Sequence, residues 1–370
     1  MRPSLIPYLC RISTRTFIVA CLAFSLSSFG AAAGADSPGR LSFGALTPGG
    51  WRGLHLMAPS PEQLPLVEQA IEQYWAPLGI NVVVFEIDYN FAWKSHPEIQ
   101  RGNPITFDQA REFAAICHKH GVRVVPLMNC LGHQSWSKQT GPLLVKHPEF
   151  DETPQLAPDN PGIYCRSWCP QAPGLDRFVF DLMDELFDAF QADGFHVGMD
   201  EVFIIGHEQC SRCAGKDPSE LFALAVNHCH EHLIGKLKTS MFIWGDRLLD
   251  DQTMKYGEWE SSKNNTWHAI DKIPKDIIVC DWHYEPRAEY PSVPFFQKKG
   301  FRVLPSGWRN LQAALALRAY SRANAGENML GYMCTTWASS TGLARVVAGE
   351  NSPSLKEATQ LVRVIEACNE

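Results

Sequence analysis

Positive charge is in short supply: 33 Lys and Arg stand against 40 Asp and Glu, for a net charge of −7 at pH 7. No basic stripe occurs, so the electrostatic footprint of a nucleic-acid binder is missing. Internal repeats are lacking, as are low-complexity segments beyond residue 50, and no His-Glu-x-x-His spacing marks a metal centre. With 45% hydrophobic and 20% charged positions, the chain is globular and long enough for one large domain or two small ones.

Long apolar runs are also scarce, and the clearest is at the N-terminus. Arg2, Arg11 and Arg15, with no acid among them, precede an apolar segment from Thr16 to Gly30 and then Ala31-Ala32-Ala33-Gly34-Ala35. That order predicts a signal peptide over residues 1–35, a periplasmic or secreted protein, and no stable membrane anchor after cleavage. The expected organisation is then a lead-in over 36–50 and one catalytic domain over 51–370. Losing the leader removes three cations and leaves 30 Lys and Arg against 40 Asp and Glu.

From Trp51 onward, short apolar runs alternate with helical patterns. Strands are expected over Trp51–Ala58, Asn81–Asp88, Val122–Met128, Gly194–Met199, Met241–Trp244, Ile277–Trp282, Phe301–Leu304 and Met329–Thr335, with helices between them. Eight such units predict an α/β fold, a (β/α)8 TIM barrel, with a doubly wound sheet as the alternative. The Pro-, Asp- and Asn-rich stretch from Gly132 to Pro173 is an excursion after the third strand, on the face where a barrel builds its site.

Strand ends collect the chemistry-bearing residues. Gly194 to Glu201 is an apolar run ending in Asp200 and Glu201, two carboxylates that compete for ionisation and can divide the roles of base and acid. Trp244, Trp282, Trp308 and Trp337 stand at four successive strand ends, which predicts an apolar-walled pocket for a ring-shaped ligand such as a pyranose. Carboxylates beside a sugar pocket suggest glycoside cleavage. Adjacent strand residues point to opposite faces, so Asp200 and Glu201 cannot face each other unless the strand ends there. A route in which the sugar's own 2-acetamido oxygen attacks avoids that difficulty, since only one enzymic carboxylate then transfers protons.

His196-Val197-Gly198-Met199-Asp200-Glu201 resembles the His-x-Gly-Gly-Asp-Glu signature of glycoside hydrolase family 20, the β-N-acetylhexosaminidases, with Met in place of the second Gly. Trp51-Arg52-Gly53-Leu54 looks like that family's first strand, and Gly132-His133 with Ser135-Trp136 looks like its segment after the third. The resemblance implies Glu201 as general acid/base, Asp200 as the residue that orients the acetamido group, and His133 with Asp88 as the pair that orients the acid. It implies a sugar grip from Arg52 and an acetamido pocket from Trp244, Trp282 and Trp337, for an N-acetylhexosamine-containing glycan and without a cofactor. Trp308-Arg309-Asn310 replaces the family's Tyr-Leu-Asp after strand seven, and Trp337-Ala338-Ser339 lacks its strand-eight Glu. Tyr284 is the candidate for the missing hydroxyl.

Two other readings stay open at this point: a carbohydrate-binding barrel without turnover, and a metal-dependent hydrolase using His133, His196, Asp200 and Glu201. Ten of the twelve cysteines lie beyond the leader. Cys165, Cys169, Cys210 and Cys213 should share the catalytic rim, where an exported chain favours disulfides and a structural zinc is the alternative.

Overall fold

The computed structural model describes residues 39–370 apart from 137, 138, 158, 159 and 161; the leader expected over residues 1–35 lies outside the described residues. Eight parallel strands close a barrel: β1 (Trp51–Met57), β2 (Val82–Glu86), β3 (Arg123–Cys130), β4 (Gly194–Gly198), β5 (Ser240–Trp244), β6 (Ile278–Trp282), β7 (Arg302–Gly307) and β8 (Gly331–Cys334). Each pairs with its neighbours in sequence, and β1 pairs with β8 through Trp51 opposite Gly331. The (β/α)8 expectation holds, and the doubly wound alternative is excluded by closure.

The strands read as nearly continuous apolar runs because both faces are covered, as parallel sheets require. Along β2, Val82 and Val84 point into the barrel while Val83 and Phe85 pack outward against the helices. Strand β7 runs three residues past its expected end. Pro305 and Gly307 read as stop signals, yet β7 continues in register with β6 as far as Ser306 opposite Trp282.

Helices on the outer face include α1 (Leu64–Ala70), α2 (Phe107–Lys119), α3 (Leu175–Ala189) and α4 (Pro218–His230). Thr106 caps α2 in a reciprocal capping box with Gln109, which fixes where the helix starts. Short helical turns replace a full helix between β5 and β6. No helix among the described residues is long and apolar enough to cross a membrane.

The lead-in seals the N-terminal end of the barrel. Phe43 stacks on Trp51 with ring centroids 4.7 Å apart and tilts against Phe242 at 5.6 Å, completing the inner core. Arg52 is at this same end, on the outer surface, where its guanidinium donates to the Leu78 carbonyl (3.3 Å). Its expected grip on a sugar is therefore wrong, since β1 runs from Arg52 toward Met57 and only its far end reaches the catalytic rim.

Candidate active site

Strand β4 ends at Gly198, and the backbone then turns through left-handed conformations at Gly198 (φ 65°), Met199 (φ 66°) and Glu201 (φ 49°). Gly198 is required: a Cβ there would meet Asn129 Oδ1 at 2.6 Å. The turn breaks the strand's alternation, so consecutive carboxylates reach one place. His133 Nε2 lies 3.2 Å from Asp200 Oδ2 and 3.4 Å from Glu201 Oε2. His133 is itself left-handed (φ 53°), as are Leu131 and Asp88. Non-glycine residues held this way cost ~1–3 kcal/mol each and cluster where function requires them.

Charge explains the pairing. Burial works against a protonated His133, but the Asp200 carboxylate, with help from Glu201, holds its pKa well above the usual imidazole range. Burial likewise pushes Asp200 up, and His133 more than reverses this, leaving Asp200 below its ordinary value. The contact is an ion pair rather than an aligned hydrogen bond, because Nε2 meets neither carboxylate with hydrogen-bond geometry. Asp246, after β5, braces the turn: its Oδ2 accepts from the Glu201 backbone N–H (2.9 Å) and from Arg247 Nε (2.6 Å), and its Oδ1 accepts from Trp282 Nε1 (3.2 Å). Burial raises the Asp246 carboxyl to about 6.

The second oxygen of Asp200 has no such partner. Oδ1 is buried and meets no donor among the described residues. The aromatic residues at the strand ends pack on one another, and Tyr284 among them is near enough to feel the Asp200 charge. Trp244 and Trp337 lie 5.8 Å apart by ring centroid, Trp282 packs on Tyr284 at 4.9 Å, and Tyr284 on Trp308 at 5.3 Å. The Tyr284 hydroxyl accepts from Trp337 Nε1 (2.7 Å) and lies 3.3 Å from Thr335 Oγ1, whose own proton goes to the Gly307 carbonyl (2.9 Å). Its own proton is the one donor it can offer a ligand. Burial, with the Asp200 charge nearby, raises its pKa, so the proton stays on.

Asp88 is near His133 but does not bond to it as expected. Its Oδ1 accepts from the Asn129 backbone N–H (3.2 Å), and it acts on the imidazole through charge. Burial and the neighbouring Glu86 raise Asp88 to about 7. Beneath the rim, His55 Nε2 meets Glu86 Oε2 at 2.8 Å, and the His55 ring packs on Trp337 at 4.4 Å. His196 faces the barrel interior against Trp244 at 4.5 Å, and desolvation lowers its pKa to about 3. It takes no part in the His133, Asp200 and Glu201 cluster, so the four-ligand metal reading loses a ligand. His228, His230 and His232 on and just after α4 also diverge, pairing with Asp176, Asp276 and Asp184 in turn.

The sequence points to Trp136 through the segment after β3 but gives no role to Asp246, Tyr164 or Trp259. Tyr164, from the excursion, lies 6.3 Å from His133, 5.8 Å from Trp136 and 4.9 Å from Trp259. Trp136, Tyr164 and Trp259 are all exposed. Residues so far apart in sequence share no spacing that could have linked them. The cysteine expectation needs a correction too. Cys165 is separate from the other three, with its thiol directed to the Glu201 carbonyl (3.5 Å), and all ten described cysteines are unbridged.

Residues 87–342 match the model of "Glycosyl hydrolase family 20, catalytic domain". The chain is 25% identical over 238 residues to a beta-hexosaminidase of Emericella nidulans, covering 55% of this chain and 34% of that protein. Its fold is shared with a Flavobacterium johnsoniae chitobiase (TM-score 0.56, 18% identity, 86% of this chain and 52% of that one). It is shared as well with the exo β-N-acetylglucosaminidase of Vibrio harveyi in complex with N-acetylglucosamine (TM-score 0.56, 16% identity, 86% and 54%). The chain thus spans about half the length of those two structures and matches a third of the curated relative.

Proposed function

The chain belongs to glycosyl hydrolase family 20, and from that premise we propose that it removes β-linked N-acetylhexosamine from glycans by a retaining route in which the substrate's 2-acetamido oxygen is the nucleophile. Asp200 Oδ1, buried and unpartnered at the edge of an aromatic pocket, carries the reading. An acceptor left alone in this way costs ~1–3 kcal/mol, which a ligand donor recovers. An amide N–H fits Asp200, the N-acetyl methyl fits the face of Trp244 and Trp337, and the Tyr284 O–H is a donor for the amide oxygen. Tyr284 thereby supplies from β6 the hydroxyl that the sequence lacks after β7.

The chemistry then follows in two steps. The amide oxygen attacks the anomeric carbon while Glu201 gives its proton to the leaving glycosidic oxygen, and Asp200 holds the positive charge that develops on the cyclised amide. Water next attacks the same carbon as Glu201 takes its proton, the ring opens, and the configuration is retained. His133, charged between the two carboxylates, favours an ionised Asp200 throughout. The N-acetylglucosamine complex of the Vibrio harveyi enzyme supports the class of sugar.

A panel of aryl glycosides differing only at C2 tests this. The N-acetylglucosaminide or N-acetylgalactosaminide should be cleaved and the matching 2-hydroxy sugar should not; equal turnover of both would refute it. Export is proposed as well, on the Arg-flanked apolar leader. Mass spectrometry of the native protein should find an N-terminus at Gly34 or Asp36, and a chain beginning at Met1 would contradict it.

A further inference from the structure

Outside the catalytic cluster, three thiols and a carboxylate converge. Glu152, Cys169, Cys210 and Cys213 are all buried, and one ligand atom of each falls within 4.8 Å of the others. Glu152 and Cys169 come from the excursion after β3, where Asp151 and Trp168 form an antiparallel bridge that sets them side by side. Cys210 and Cys213 come from the turn that follows Glu201. Cys169 Sγ is 3.1 Å from Cys213 Sγ and 3.7 Å from Cys210 Sγ. Thiolates around one tetrahedral zinc, at Zn–S ~2.3 Å, are ~3.8 Å apart.

Glu152 supplies the second line of argument. It is fully buried, its Oε1 accepts from the His207 backbone N–H (2.9 Å), and its Oε2 finds no donor among the described residues. A buried carboxylate that keeps its charge needs a cation. Arg212 is directed elsewhere, its Nε to Cys169 Sγ (3.3 Å) and its Nη2 to the Glu149 carbonyl (2.7 Å). Backbone N–H groups of Arg212 and Cys213 reach the Cys210 sulfur, and that of Gln171 reaches Cys169. Outer contacts of this kind orient thiolate ligands.

We propose that Glu152, Cys169, Cys210 and Cys213 bind one structural zinc ion that staples the excursion after β3 to the loop carrying the catalytic carboxylates. Three soft sulfurs select zinc over magnesium or calcium, the hard carboxylate argues against copper(I), and the four protein ligands close the shell as structural sites do. Bridging Cys169 to Cys213 instead would leave Cys210 odd and Glu152 still uncompensated. Cys165, four residues ahead of Cys169, is outside the site and packs against the Glu201 backbone.

The full-length chain, purified in a phosphine reductant, should contain about one zinc per molecule. Chelator under the same reductant should lower its melting temperature, and added Zn²⁺ should restore it. Replacing the zinc with Co²⁺ should give thiolate-to-cobalt charge-transfer bands. Glu152→Gln and Cys213→Ser should lose the metal, while Cys165→Ser keeps it. Should the ligand variants fail to fold, the wild-type cobalt spectrum and zinc content still decide. A metal-free wild type without cobalt bands would overturn the site, as would two thiols missing from the free-thiol count with indifference to chelator.

Discussion

The two ends of this barrel are built on different terms. At the N-terminal end Phe43, Trp51 and Phe242 close the core ring against ring, and Arg52 is hydrogen-bonded to the surface. At the C-terminal end, five of the nine described non-glycine residues with positive φ (Asp88, Leu131, His133, Met199 and Glu201) sit at or just beyond the ends of β2, β3 and β4. Asp200 Oδ1, His196 Nε2, Trp244 Nε1 and Trp308 Nε1 are buried there or just beneath without partners among the described residues. One end is satisfied and contributes stability. The other holds most of the strained backbone, Gln191 and Lys238 aside, and the unpaired polar groups of the site, which is how a binding site differs from a core.

The contrast can be broken most severely at Glu201. Glu201→Gln should slow natural glycosides by ~10²–10⁴ or more, since the group acts in both steps, and should cost far less with aryl glycosides whose leaving groups need no acid. Equal losses on both substrate types would remove Glu201 from the acid role. Melting should be close to wild type, because the substitution touches the strained end only.

Phe43→Ala should do the reverse, lowering stability by ~3–5 kcal/mol through the cavity left beneath Trp51 while kcat of the folded fraction is unchanged. Denaturant titration with activity measured on the same samples checks this. A fall in kcat with no loss of stability would contradict it.

Smaller effects come from pH. Asp200 is held below its ordinary value, so its contribution is present above about pH 4 and lost as pH falls through the lowered folded pKa. His133 is held above its ordinary value, so its contribution is complete below about pH 6.5 and lost as pH rises through the raised folded pKa. Their ion pair is therefore at full strength between those limits. His196 opposes it on the acid side: kept neutral to about 3, it costs stability as pH falls below about 6.5, where the unfolded chain takes up the proton. Melting temperature against pH should fall less steeply on the alkaline side in His133→Gln, and an unaltered profile would mean that the pair contributes nothing. The smallest effect is expected at Arg52. Arg52→Ala should leave kcat/KM within a factor of about two, as surface changes do, and a large rise in KM would return the residue to the sugar site.

Much of this was legible in the sequence, for physical reasons that also mark where legibility ended. Strands buried on both faces write themselves as apolar runs, so all eight could be located, with β3 cut short by two residues at Met128 and β7 by three at Leu304. Asp200 and Glu201 are adjacent in sequence and therefore visible as a pair, but the left-handed turn that brings them to one imidazole depends on tertiary packing around Gly198. Met199 in such a conformation could be sensed only as the position where the family pattern has glycine. Arg52 was misplaced because a motif match does not say which end of a strand a residue occupies. Glu152 was invisible, since one acid in an acid-containing loop has no periodicity, and Cys165 was grouped with the wrong thiols on spacing alone.

The central claim is that Asp200 and Tyr284 receive the acetamido group. Its most direct test is calorimetric binding of an N-acetylglucosamine thiazoline, a mimic of the cyclised intermediate, to wild type, Asp200→Asn and Tyr284→Phe. Wild type should bind tightly, and each variant should lose ~10²–10³ in affinity, the scale of one donor or acceptor aimed at developing charge. No binding by wild type, or equal affinity in all three proteins, would contradict the account.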